Sequence, residues 1–295
     1  AWTMAIDPVQ DGQGIASLYG GRDGLARKLD AYFATPGVYH TGDYGGVIHE
    51  MREMHDIRMG QYSHSNQPAH HILYMYDYAG QPWKAQDKIR DVMNRLYRGT
   101  AIGQGYPGDE DNGEMSAWWV FSAAGFYPLR MGTPTYAIGA PRFETMRLTV
   151  GQDRVLTVHA PGVSDLNRFV QSVSLNGRPL TRWWLSHDEI AGGGDLTFQM
   201  GPQPSHWGSS PDASLPSLTP AGQTPSPAVD LADVTGATHT GPDALFDNDA
   251  LTSAPIGGAD VTVTVPAGAS ALAYTVTSTG RPDLAPSAGE ILASD

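Results

Sequence analysis

Four carboxylates crowd six positions of the stretch GYPGDEDNGEMSAWW at residues 105–119: Asp109, Glu110, Asp111 and Glu114. The chain then runs directly into aromatic and small residues, which predict a buried helix over 115–124 that stops at Gly125. A carboxylate held against apolar surface is disfavoured in its charged form, and such groups serve as general acids and bases. The plainer reading is that acidic residues gather at a helix start because the helix dipole favours them there. Spacing alone leaves both open. Asp109, Asp111 and Gly113 also begin like an EF-hand loop, but that loop needs a bidentate Glu at its twelfth position, where Val120 stands.

A second cluster is His49-Glu50-Met51-Arg52-Glu53-Met54-His55. A zinc-peptidase helix needs its second His four residues after the first, and that place is taken by Glu53, so this chemistry is set aside. A helix is predicted over 47–57, with Glu50 and Glu53 on one face at i, i+3. Two carboxylates so placed repel unless something cationic or polyhydroxylated lies between them. The alternative is a solvated acidic face, although Ile48 and the methionines imply a buried helix.

The polar loop 60–68, GQYSHSNQP, precedes a helix predicted over 66–79. Short polar side chains in such a loop suit sugar hydroxyls or a hard cation. The alternative is capping and turn formation, the preferred reading for Asn66. His70 and His71 are adjacent on the predicted helix, so they point apart and share no metal.

These residues must be positioned by a chain of 295 residues, long enough for two domains. Its formal charge of -13 is spread along the sequence, which argues against nucleic acid as partner and suits neutral or cationic ligands. No run approaches the roughly 18 apolar residues of a membrane span. Cysteine is absent, which removes disulfides and thiolate metal sites. Residues 1–127 read as helical, with further amphipathic helices over 24–34, capped by Asp23, and over 83–97. Near Pro128 the period changes. Short β-prone runs at 146–150, 155–159, 170–175 and 196–200, with an Asn176-Gly177 turn, predict a β-sandwich segment over 128–208. Residues 209–228 are rich in Ser and Pro and read as a linker. The remainder, 229–295, holds β-prone runs at 261–265 and 273–277 and reads as part of a small β-rich accessory domain.

Taken in order, IHEMREM, MGQYSHSNQP, YAGQPWKAQDKIRDVMNRLY, GYPGDEDNGEMSAWWVFSAAGFYPL and VSLNGRPLTRWWLSHDEI closely resemble the calcium-dependent α-mannosidases of glycoside hydrolase family 92. The resemblance extends over about residues 1–208 and implies a fold class mixing α and β: the second part of an (α/α)6 barrel over 1–127, followed by β-structure. It implies exo-hydrolysis of α-linked mannose with inversion, α-1,2 linkages favoured, on mannose-containing glycans outside the cell. By the same resemblance Asp109 and Asp111 match the loop that supplies the general base, Asp111 being the first choice. Glu53 lies nearest the calcium ion, and His49 and Glu50 match the pair facing the leaving sugar.

The family's general acid is a Glu in an EGNAW-type segment, whose end matches Ala1-Trp2. The resemblance therefore implies that the acid lies outside this chain, on an N-terminal counterpart. The rival expectation is a carbohydrate- or calcium-binding module without turnover. Around Leu245-Phe246-Asp247-Asn248-Asp249 the tail faintly resembles the start of a discoidin-like carbohydrate-binding domain.

Overall fold

Apolar side chains recurring every three to four residues give way, after Phe126, to alternation every two, and the architecture changes with them. A computed structural model describes residues 2–39, 41–99, 105–226, 229–249 and 252–268. Its helices are α1 (Gly12–Leu18), α2 (Arg22–Ala34), α3 (His49–Ile57), α4 (Met75–Tyr78), α5 (Pro82–Leu96), α6 (Glu114–Ala124) and α7 (His187–Ile190). The chain divides into two compact units, one up to Pro225 and one from Ser226 onward.

Helix α5 starts with Pro82 at its first turn, where a missing N–H costs nothing, and turns Ile89, Val92 and Met93 into the core. Helix α2 begins two residues before the position expected from an Asp23 cap. Gly21 takes the cap place, and Asp23 sits in the first turn, where its charge still meets the dipole. The single helix predicted over 66–79 does not form. In its place stand 3-10 turns at Gln67–Ala69 and Ile72–Tyr74, then the short α4. The side chains of His70 and His71 are drawn in different directions, onto the carbonyls of His64 and Ile6 at 2.9 Å each, and the backbone winds tightly between them. Asn66 makes no side-chain cap.

The strands are β1 (Phe126–Tyr127), β2 (Thr135–Ile138), β3 (Thr145–Gly151), β4 (Arg154–His159), β5 (Phe169–Leu175), β6 (Arg178–Leu180), β7 (Trp184–Ser186) and β8 (Gly194–Gly201). They make a three-stranded sheet in the order β1-β2-β7 and a five-stranded sheet in the order β3-β4-β8-β5-β6. Every pairing is antiparallel except β4 with β8. The β5–β6 hairpin turns at Asn176 and Gly177, both left-handed, as the Asn-Gly pair requires. Phe126, Ile138 and Leu185 from the small sheet share one apolar cluster with Leu156, Val158, Val173, Leu196 and Phe198 from the large one. The helical and β layers are tied by buried polar contacts: Arg90 donates to the Pro141 carbonyl at 2.8 Å, and the Val170 N–H donates to Gln86 Oε1 at 2.9 Å.

The Ser- and Pro-rich stretch that composition marks as a linker is bound along its first part to the helical layer. Ala213 and Leu215 are buried, and Ser217 and Thr219 donate to Asp11. Composition reports how little a segment can bury, not whether a distant carboxylate holds it in place. In the second unit, β9 (Thr238–His239) pairs antiparallel with β10 (Val263–Thr264). The β-prone run at 273–277 lies outside the described residues.

Candidate active site

The acidic loop enters α6 through three consecutive left-handed residues, Asp111, Asn112 and Gly113, at φ of 51°, 57° and 100°. Asp, Asn and Gly are the residue types that tolerate this conformation, which costs others about 1–2 kcal/mol per residue. Glu110 satisfies the start of the helix: its carboxylate accepts the N–H of Gly113 and, at 3.2 Å, that of Ser116. A hydrogen bond from the Ser116 side chain, followed by the backbone N–H groups of Gly113 and Ser116, holds the Glu110 carboxyl below its usual range. The plain helix-start reading therefore belongs to Glu110. Asp109 and Asp111 are left exposed on either side of it.

Asp111 is gripped from a different element. Gln67, on the 3-10 turn Gln67–Ala69, donates from Nε2 to Asp111 Oδ2. Three residues on, His70 directs Nδ1 toward Glu114 Oε1 at 3.7 Å. Gln67, Pro68, Asp111, Glu114 and Met131 line an open pocket of about 420 Å³. A larger hollow of about 550 Å³, bordered by Asn176, Arg178, Arg182 and Glu189, lies on the β layer, with none of the acidic-loop residues in its wall.

Beneath the turn is a directional hydrogen-bond chain. Tyr97 O–H donates to the Met115 carbonyl at 3.1 Å, so its oxygen is free to accept from His64 Nε2–H at 2.7 Å. His64 Nδ1 then accepts from Tyr62 O–H, again at 2.7 Å. A neutral imidazole satisfies both ends. Burial, with His70 beside it, pushes the His64 pKa well below its ordinary value, which agrees with that protonation state. Trp118 packs edge-on against the His64 ring at 4.4 Å, fixing the first turns of α6 to the loop below.

Helix α3 supplies the remaining acids. His49 is bridged by Glu53 at 3.3 Å and Glu50 at 3.2 Å. The Glu53 hydrogen bond, with the charges of Glu50, Glu53 and Asp109, raises the His49 pKa. The helix is half-buried, not buried as its methionines suggest, because it turns only Ile57 fully inward. Glu50 Oε2 and Glu53 Oε2 are nevertheless shut away from solvent with no hydrogen-bond partner. A buried carboxylate oxygen without a donor is costly, and a cation or hydroxyl satisfies it. Among the described residues no group of three or more His, Asp or Glu side chains gathers around one metal position.

Gly108 joins the two parts. It is left-handed at φ +70°, and a Cβ there would stand 2.6 Å from Ser65 Cβ and 3.0 Å from Glu53 Oε2. The acidic loop thus lies directly on α3 and on the buried 63–65 loop. The Asp109 charge is felt at His49, and Asp111 is bonded to Gln67 at the pocket. Sequence spacing singled out Asp109, Asp111, His49, Glu50 and Glu53, and the structure brings their segments together. It did not single out Gln67, His70 and Glu114 as partners. The one signal for them was the Gln67-Pro68 start, which places a side chain three residues before His70 on a tight turn.

The carboxylate-lined pocket thus belongs to a protein of mixed class, in which a helical layer packs on two β-sheets. Residues 1–202 match the model of the glycosyl hydrolase family 92 catalytic domain, and the chain belongs to that family. It is similar to an α-mannosidase of family GH92 from Bacteroides thetaiotaomicron, at 30% identity and a TM-score of 0.63 over 73% of this chain. A family GH92 inverting mannosidase from the same organism is 42% identical, with a TM-score of 0.61 over 73% of this chain. An uncharacterized secreted glycosidase of the fungus Arthroderma benhamiae is 29% identical over 52% of this chain. The chain spans 26% and 29% of the two bacterial enzymes and 20% of the fungal protein.

Proposed function

We propose that this chain forms the base-bearing part of an exo-acting α-mannosidase that removes terminal α-linked mannose, α-1,2 linkages favoured, from glycans outside the cell with inversion. The observation that carries the reading is the seating of the Asp109–Asp111 loop on the Glu50/Glu53 face through Gly108, within a chain whose first 202 residues match a glycosidase family. In an inverting reaction the water oxygen bonds to the anomeric carbon as the glycosidic C–O bond breaks. One carboxylate takes the water proton and an acid on the opposite face protonates the leaving oxygen, the two standing roughly 6.5–9.5 Å apart. Asp111 is assigned the base role, with Asp109 beside it. The acid is assigned to an N-terminal counterpart that completes an (α/α)6 barrel.

Calcium fits the donors on α3. It is a hard cation that binds oxygen, and the Glu53 and Glu50 oxygens that lack partners are of that kind. Glu53 would hold it, with the other ligands coming from outside this pair; when bound, the ion would supply positive charge to the vicinal hydroxyls of the sugar. His49 and Glu50 then lie at the side of the leaving sugar. The second unit is assigned an accessory carbohydrate-binding role.

The test is mannose release from α-1,2-mannobiose by the natural, full-length polypeptide, with calcium and then with excess chelator. Release abolished by chelator and by Asp111→Asn is expected. Folded protein that binds mannosides without turnover would replace this reading with a binding module.

A further inference from the structure

Gln67 and His70 are three residues apart on a 3-10 turn, and Asp111 and Glu114 are three residues apart where the acidic loop becomes α6. On a 3-10 turn side chains at i and i+3 are eclipsed, so they leave the backbone in the same direction. The two pairs meet one to one: Gln67 donates to Asp111, and His70 Nδ1 stands 3.7 Å from Glu114 Oε1. We propose that this turn is a positioning clamp, with Gln67 as the residue that aims the Asp111 carboxylate into the pocket; the inference rests on the base role proposed for Asp111.

Three features support it. The first is that Asp111 needs an external hold. Its backbone is left-handed and its side chain is exposed, and among the described residues the hydrogen bond to its carboxylate comes from outside its own loop. Gln67 lies 44 residues earlier and donates its Nε2–H to the carboxylate. An amide donor suits this task because it carries no charge and takes no proton in the range where a carboxylate works.

The second feature is that the turn is itself rigid. His70 is 1% exposed and spends Nε2–H on the His64 carbonyl at 2.9 Å. His64 is in turn locked between Tyr62 and Tyr97, and Tyr97 reaches the Met115 carbonyl in α6. The element that holds Asp111 is therefore tied to the same helix that Asp111 precedes.

The third is the open second arm. His70 Nδ1 is buried and has no hydrogen-bond partner. Its distance to Glu114 Oε1 exceeds a hydrogen bond, and with Nε2–H spent on the His64 carbonyl both facing atoms accept, so this arm is not closed within the protein. Glu114 lines the pocket with Gln67 and Asp111, so an unsatisfied acceptor points from the core toward the place where the base acts.

The experiment is a double-mutant cycle on the full-length protein, using Gln67→Leu, Asp111→Asn and the pair, with thermal stability as a folding control. Gln67→Leu is expected to lower kcat on the order of tenfold to a hundredfold, the range for a misplaced catalytic group, with KM nearly unchanged. In the Asp111→Asn background it should lower the residual rate by less than about twofold, because a residue acting through Asp111 has nothing left to aim. Equal losses in both backgrounds, or a loss confined to KM, would overturn the clamp while leaving the base assignment intact. Full activity in Asp111→Asn alone would instead overturn the base assignment.

Discussion

Asp11 and Thr219 are 208 residues apart and are joined twice: the Thr219 N–H donates to Oδ1 at 2.8 Å and its hydroxyl to Oδ2 at 2.6 Å. The same carboxylate accepts from Ser217 Oγ at 2.7 Å and, as the cap of α1, from the Gly14 N–H at 3.2 Å. Burial alone would raise its pKa, but the hydrogen bonds from Thr219, Ser217 and Gly14 outweigh burial and hold it below the ordinary value. Asp11→Ala removes a charged acceptor shared by two segments. It should destabilise the first unit by about 2–3 kcal/mol, the range for a hydrogen-bonded charge, measured by urea unfolding. It should also open residues 209–223 to early proteolysis. Unchanged stability and an uncut segment would contradict the anchoring role.

Acid should weaken the fold well above the pH at which Asp11 titrates. His64, His70 and His71 are buried and all have lowered pKa values, His70 down to about 4. Burial is the leading cause in each case. In the unfolded chain these groups take a proton below about 6.5, whereas in the fold they do not until much lower pH. The unfolded state then binds more protons, so stability falls as pH drops from about 6.5 toward 4. His70 alone contributes about 2 kcal/mol of that loss by pH 5. Denaturant unfolding at pH 7.5 and 5 checks it, and His70→Gln should flatten the slope between them.

Those histidines also show where sequence reading stops. The period-2 runs that became β3, β4, β5 and β8, and the Asn176-Gly177 turn, were legible because one face of a strand must be apolar and a primed turn must be left-handed. The helix over 66–79 was misread because His70 and His71 each spend a ring N–H on a distant carbonyl, which local propensity does not record. The same holds for the Ser- and Pro-rich segment, whose order comes from Asp11. At the site, charge spacing exposed Asp109, Asp111, Glu50 and Glu53. It gave no sign that Glu110 serves the helix start while Gln67 serves Asp111, since that division depends on which side chain faces which neighbour.

Gly108 is the contact through which the acidic loop touches α3, and it is the position least able to accept a side chain. Gly108→Ala places a methyl 2.6 Å from Ser65 Cβ, below any ordinary carbon–carbon contact, in a backbone that is already left-handed. The backbone strain is about 1–2 kcal/mol, and Asp109, Asp111 and Asn112 that follow are exposed, so the loop can shift without unpacking a core. The expected result is a modest loss in melting temperature with a large loss of activity, as Asp109 and Asp111 shift away from Glu53 and Gln67. Thermal denaturation read beside kcat/KM separates the two effects. A variant that keeps activity would show that the loop need not lie on α3.

The Glu53 side chain sits where the loop meets α3, with Oε1 bonded to His49 and Oε2 enclosed without a partner. Glu53→Gln keeps the shape and replaces one oxygen with an amide, so it lowers both the charge and the number of oxygens offered to a hard cation. Calcium affinity, measured by titration calorimetry on the full-length protein, should fall at least about tenfold, equivalent to about 1.4 kcal/mol. A second readout avoids catalysis altogether. A cation at 100 times its dissociation constant stabilises the folded state by about 2.7 kcal/mol, so calcium should raise the melting temperature of the natural protein and raise it much less in the variant. His49 gives an internal control, since losing the Glu53 carboxylate removes the leading cause of its raised pKa and should lower that pKa when followed by NMR. If the His49 shift appears while the calcium response is unchanged, Glu53 holds His49 and not the metal.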